Sequence, residues 1–252
     1  MDHFFESVAA RMGDQISGDH LKLVICVITS LPLAVVYRTL PPKSPTIRHL
    51  FSIFHAITTM VFVLKFYTDA LHIGLTGLFT YVFMKYYRGK RIAYINFIFV
   101  MISLSICHLD RKINGLEGSS KLDYSAPLMV AIIKFSSFGF NVTDGRKTAT
   151  SGTTTINAYN ERMKIAKYPS LIEYFGWICF FGGFFMVGPT SEYMDYYRFT
   201  NTFSFSKEKY MSPYIPALRH IIVGIGSAAI VVLVGDKFSY TRMLEDSFLN
   251  LQ

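Results

Sequence analysis

Apolar residues in this chain gather into long runs separated by short polar connections. Seven such runs can be drawn, over residues 21–37, 50–64, 70–87, 93–109, 124–140, 169–188 and 214–234. A helix of about 20 residues crosses a hydrocarbon core of about 30 Å. The pattern therefore predicts an all-α, polytopic transmembrane protein with six to seven membrane segments in a single domain over 1–252. The first segment carries Pro32, a kink site, and the second is short. The sixth is unusual. It starts at Pro169, carries Glu173 one turn in, contains Gly182 and Gly183, and closes at Gly188-Pro189. Irregular backbone at membrane depth persists only where it is buried or lines a cavity, and an intramembrane carboxylate faces protein or water. The segment over 169–188 is thus expected to be broken or re-entrant.

Composition agrees with the pattern. Only 17% of residues are charged and 51% are hydrophobic, against about 25% charged in soluble domains. The acidic N-terminal stretch lacks the basic start of a secretory leader, so the first run reads as an uncleaved span. Cys26, Cys107 and Cys179 all lie in apolar runs, with neither a disulfide framework nor a metal spacing. The net charge of +8 sits in short clusters between the runs, as juxtamembrane connections do, which argues against nucleic-acid binding. Twelve Lys and Arg fall in the connections after the first, third and fifth runs, against six on the other side. The first group is therefore expected to be cytoplasmic, including a polar loop over 141–167. The acceptor pattern Asn141-Val142-Thr143 then stays unglycosylated.

Within that loop, TATSGTTT reads as unstructured and NERMKIAKYP as an interfacial helix, while Asp144-Gly145-Arg146 reads as a turn. The turn would leave an arginine and a carboxylate where a phosphate-bearing, amphipathic substrate could be held. Beyond the sixth run, Glu192, Asp195 and Arg198 alternate with Tyr193, Tyr196 and Tyr197, a pattern suited to a cavity mouth. Lys134 lies deep in the fifth run and is costly unless paired or close to an interface; it could pair with Glu173 across helices, and the carboxylates should find Arg146, Lys134 or tyrosine hydroxyls. His55 reads as a buried neutral histidine bonded to a neighbouring helix, and His220 beside Arg219 as a snorkelling or headgroup contact. No Gly-rich phosphate loop, HExxH or GxSxG motif is present.

Two blocks, LMVAIIKFSSFGFNVTDGRK and KYPSLIEYFGWICFFGGFFMVGPTSEYMDYYRF, resemble the membrane-bound O-acyltransferases, in particular their lysophospholipid acyltransferase branch. The matching features are Lys134-Phe135-Ser136-Ser137, Asn141 with Asp144-Gly145-Arg146, Tyr168-Pro169-Ser170-Leu171, and Gly188-Pro189 through Glu192-Tyr193 and Asp195-Tyr196. The resemblance implies transfer of a fatty acyl group from acyl-CoA, as co-substrate, to a lysophospholipid in the endoplasmic reticulum membrane, with no cofactor and no metal. It also implies a histidine base in a Trp-His-Gly block and an asparagine in another Trp-containing block. Trp177, the only tryptophan, is followed by Ile178. No catalytic residue is therefore assigned, and the chain reads as the N-terminal part of a longer fold, inactive alone. The alternatives are a non-catalytic lipid-binding or regulatory subunit and a small transporter; no internal repeat supports the latter. Asn141, Asp144, Arg146, Glu173, Glu192, Asp195 and Tyr196 are the candidate substrate-binding residues. The groups of the fifth run's end are expected to converge with those after the sixth.

Overall fold

The computed structural model describes residues 18–41, 44–89, 91–115, 125–151, 157–180, 190–201 and 214–235. By its contacts the chain divides into two compact units, 1–203 and 204–252. In the first unit, helix α1 spans Gly18–Thr39 and continues through Pro32. Helix α2 (Pro45–Ile57) runs on as a π-helix over Thr58–Val63. Then follow α3 (Tyr67–Tyr86), α4 (Ile92–Ile113), α5 (Ser125–Ser151), α6 (Ala158–Met163), α7 (Leu171–Ile178) and α8 (Tyr193–Asn201). The second unit contributes α9 (Tyr214–Val234). No strand occurs among the described residues. Among the described residues, five stretches are long and apolar enough to cross a membrane, lying in α1, in α2 with its π-helix, and in α4, α5 and α9. The protein is an all-α polytopic membrane protein.

Two of the differences from the apolar runs have a local reason. The second segment is not short. Pro45 occupies the first turn of α2, where a missing N–H costs nothing and φ is already helical, so the segment covers 19 residues from Pro45 to Val63. In the fifth, α5 continues past Phe140 to Ser151. Asp144-Gly145-Arg146 is thus helical, and the first part of the expected loop over 141–167 is the end of this helix. The expected interfacial helix contracts to α6. Residues 152–156 of the threonine-rich stretch lie outside the described residues.

Gly145 serves packing where a turn was expected. A Cβ there would stand 2.1 Å from the Ile165 carbonyl oxygen, and Ile165 N–H donates to the Asn141 carbonyl at 2.9 Å. Glycine lets the extended residues after α6 lie directly on α5. Gly176 plays the same part between α7 and α2, since its Cβ would meet His49 Cβ at 2.7 Å.

The core of this unit is aromatic. Phe138 of α5 touches Tyr174 and Trp177 of α7 with ring centroids 4.7 and 6.0 Å apart, and Trp177 meets Tyr193 of α8 edge-on at 5.7 Å. All four are buried. Their polar tips are satisfied by backbone or side chain, as burial demands: Tyr174 Oη donates to the Gly77 carbonyl and Trp177 Nε1 to the Ser191 carbonyl. Tyr81 and Tyr168 exchange hydroxyl contacts across α3 and the start of α7, through Pro169 and Tyr81 carbonyls. The Pro169 carbonyl and the Tyr168 hydroxyl, just before α7, thereby anchor α3.

Candidate functional site

A cleft of about 740 Å³ opens where the start of α2, the end of α3, the 164–170 connection, α7 and α8 meet. Three basic connections of the sequence are thereby gathered at one end of the helices. Lys85, Lys164 and Lys167 line the cleft, as do His49, Tyr81, Tyr168, Glu173, Tyr193 and Tyr197. Lys164 is ion-paired with Glu161, and the Lys85 ammonium stands 5.7 Å from the centroid of the Tyr81 ring.

The floor is built from α7. Ser170 caps this helix, its hydroxyl accepting the Glu173 N–H, a standard N-cap bond. Glu173 then sits in the first turn, where the helix dipole favours a negative charge. Its carboxylate accepts the Tyr193 hydroxyl at 2.8 Å. Beside it, His49 Nδ1 and the Tyr196 hydroxyl are joined at 2.6 Å. Burial first, and then the nearby Glu173 carboxylate, pushes the Tyr193 hydroxyl well above its ordinary range; burial does the same to Tyr196. Both therefore remain neutral donors through physiological pH.

The seven candidate residues do not form one cluster. Asn141 and Glu192 meet as expected, Nδ2 donating to Oε2 at 2.7 Å, with Tyr159 Oη bonded to the other oxygen at 3.4 Å. The Glu192 charge in turn raises the Tyr159 hydroxyl. Glu173 lines the cleft, with Tyr196 bonded to His49 just behind it. Arg146 turns away, donating to the carbonyls of Met84, Lys85 and Tyr87 at the end of α3. These orphan acceptors at a helix C-terminus attract a cation. Asp144 pairs with Lys147 one turn on. Asp195 lies between Arg162 and Arg198 at 3.1 and 3.0 Å, at the surface.

Lys134 does not pair with Glu173. Its ammonium, 2% exposed, donates to the carbonyls of Trp177 and Ile178 at 3.1 and 3.0 Å and lies 5.7 Å from the Trp177 ring centroid. A lysine from α5 thus satisfies the end of α7, and the helix stops at Ile178. The sixth segment departs from helix at Cys179 and Phe180; its Gly182, Gly183 and Gly188-Pro189 lie outside the described residues. His55 is half-buried, and its bond goes not to a neighbouring helix but to Thr59, one turn on in the π-helix that continues α2, at 3.5 Å. Among the described residues no group of three or more His, Cys, Asp or Glu could hold a metal ion.

The sequence pattern of the membrane-bound O-acyltransferase family matches residues 113–251. A lysophospholipid acyltransferase of Schizosaccharomyces pombe is 31% identical over 195 residues, covering 77% of this chain and 36% of that protein. This chain belongs to the membrane-bound O-acyltransferase family. A lysophospholipid acyltransferase of Saccharomyces cerevisiae is 25% identical over 181 residues, 72% of this chain and 29% of the relative. Lysophospholipid acyltransferase 6 of Drosophila melanogaster is 27% identical over 254 residues, covering 93% and 34% respectively. The chain spans about a third of the length of these relatives.

Within this family member, sequence reasoning missed His49 and the three cleft lysines. His49 hid in the TIRH connection because the second run was started at Leu50. Pro45 after Ser44 was the available signal, a helix start that places His49 one turn into α2. Arg48, counted with the loop cations, is fully buried and lies 5.9 Å from the centroid of the Tyr37 ring. Lys85, Lys164 and Lys167 carried no signal of their own, since their sequence neighbours do not reveal that α3 and the 164–170 connection converge.

Proposed function

We propose that this chain supplies the lipid-receiving cleft of an O-acyltransferase, in which a fatty acyl group passes from acyl-CoA to the free hydroxyl of a lysophospholipid. The carrying observation is the cleft itself. It brings Lys85, Lys164 and Lys167 into one lining with Glu173 and several tyrosines, at the start of α2 where a membrane-length apolar stretch begins. A single-chain phospholipid has the matching form, with a phosphate for ammonium groups and a tail for the membrane. The related lysophospholipid acyltransferases support the same class of substrate. Acyl-CoA is the co-substrate, without a cofactor or metal; the enzyme sits in the endoplasmic reticulum membrane, its basic end toward the cytoplasm.

No residue of this chain is given the role of base. Attack of an alcohol on a thioester needs a group to take its proton, an effect of typically 10²- to 10⁴-fold, and positioning adds more. The purified chain is accordingly expected to bind lysophosphatidylcholine and oleoyl-CoA without forming phosphatidylcholine above background, measured by mass spectrometry of extracted lipid. Turnover by the chain alone that disappears in His49→Ala or His220→Ala would place the base here and overturn this assignment. The second reading is a non-catalytic lipid-binding subunit, favoured by the same sequence fact, that Trp177 precedes Ile178 and not a histidine. Acyl transfer that rises when the chain is co-expressed with a catalytic relative separates it from the first.

A further inference from the structure

The cleft carries charge of both signs. Lys85 lines it from the end of α3, and Lys164 and Lys167 from the connection leading to α7. Lys167 has no hydrogen-bond or ion-pair partner among the described residues. Glu173 is in the same lining. One of its oxygens accepts the Tyr193 hydroxyl; the other has no hydrogen-bond partner among the described residues, and no described cation forms an ion pair with Glu173. The buried ammonium of Lys134 is committed to the α7 carbonyls. Tyr197, 36% exposed, also lines the space. Ring faces at this end already meet an ammonium, since Lys85 stands over Tyr81, the geometry of a cation–π contact.

A carboxylate among the lysines weakens the cleft's attraction for a purely anionic ligand, because like charges repel most where water is partly excluded. It is complementary to a ligand carrying an ammonium a few bonds from its phosphate. We propose that this cleft reads the headgroup charge of the acceptor lipid: the lysines take the phosphate, and Glu173 with Tyr197 takes a headgroup ammonium. Zwitterionic single-chain phospholipids are thereby selected over anionic ones. The inference rests on the lysophospholipid reading above and deepens it. The polyphosphate of acyl-CoA, which has no ammonium to offer Glu173, belongs elsewhere. The cleft's volume of about 740 Å³ lies within the ordinary span of small-molecule sites, about 300–1,000 Å³.

Trp177 is the only tryptophan and packs on Tyr193, the residue bonded to Glu173. Its fluorescence gives a local readout. The full chain in detergent would be titrated with lysophosphatidylcholine, lysophosphatidylethanolamine and lysophosphatidylglycerol of one acyl chain, and separately with oleoyl-CoA. The two zwitterionic lipids are expected to bind about tenfold more tightly than the glycerol lipid. In Glu173→Gln the preference should shrink to about twofold or less, whereas Lys85→Gln with Lys167→Gln should weaken all three lipids together. Tyr193→Phe keeps the ring and removes the donated bond; it serves as the second variant, with an altered preference expected, and circular dichroism reports helicity for each protein. Equal affinity of wild type for zwitterionic and anionic lipids overturns the inference, as does a preference surviving in folded Glu173→Gln. Lysolipid binding without charge preference sinks only the headgroup assignment. Failure to bind any lysolipid, with or without quenching by oleoyl-CoA, sinks the lipid-receiving reading itself.

Discussion

The cleft floor and the outer rim of α8 are built from the same kinds of side chain, yet they differ in what is left for a ligand. On the floor, Glu173 is held by one tyrosine hydroxyl, backed by α2, α7 and α8, and keeps an oxygen without a described partner. On the rim, Asp195 is 41% exposed and gripped by two arginines. Arg198 also reaches the Arg162 carbonyl. Exposed pairs of this kind contribute about 0–1 kcal/mol and are screened by salt. Between the two lies Asn141–Glu192, partly buried and bonded on both carboxylate oxygens. A candidate binding residue is thus marked less by its charge than by the hydrogen-bonding capacity its neighbours leave unused.

Substitutions can break this contrast in graded steps. Gly145→Ala is expected to cost the most, about 2–3 kcal/mol, since a Cβ 2.1 Å from the Ile165 oxygen displaces the chain carrying Lys164 and Lys167. Intrinsic helix propensity alone would stabilise by about 1 kcal/mol, so a rise in the thermal midpoint in detergent would refute the packing. Lys134→Met leaves the Trp177 and Ile178 carbonyls without their donor and should cost about 2 kcal/mol. A red shift of the Trp177 emission would accompany it; an unchanged midpoint would mean that the end of α7 is satisfied by other means. Asn141→Ala removes a bond to a carboxylate and should cost about 1.5 kcal/mol, with lysolipid affinity per folded molecule unchanged because Asn141 does not line the cleft.

Alkaline pH tests the floor with a smaller effect. Tyr193 and Tyr196 have hydroxyls raised by burial, so the folded chain keeps protons that the unfolded chain releases above pH about 10. Their stabilisation is fully present below that pH and declines above it, by about 1 kcal/mol per tyrosine at pH 11. Melting curves from pH 8 to 11.5 should be flat and then fall, less steeply in Tyr196→Phe; identical slopes would remove Tyr196 from the buried network. The rim gives the smallest change. Asp195→Asn should shift stability by about 0.5 kcal/mol or less and vanish at 1 M salt, and a loss of several kcal/mol would show the rim to be structural.

The apolar runs determined what is local: that helices form, roughly where they lie, and that an interruption follows Glu173. Each of these depends on a helix satisfying its own backbone within one segment, which composition along the chain can report. Side-chain partners depend on which segments meet. Lys134 was legible as a buried cation in need of acceptors, but the acceptors are backbone carbonyls that every residue possesses, so no side chain marks them. Gly145 was legible as a special position, and its reason was not, because the atom that excludes a Cβ belongs to Ile165 in another segment. Glu173 and Glu192 read alike in sequence. Only the packing of α7 and α8 against α2 and α5 decided that one would face a cleft and the other would bond to Asn141 and Tyr159: hydrogen-bond valence is spent on the nearest partner in space, and nearness here is set by tertiary contact.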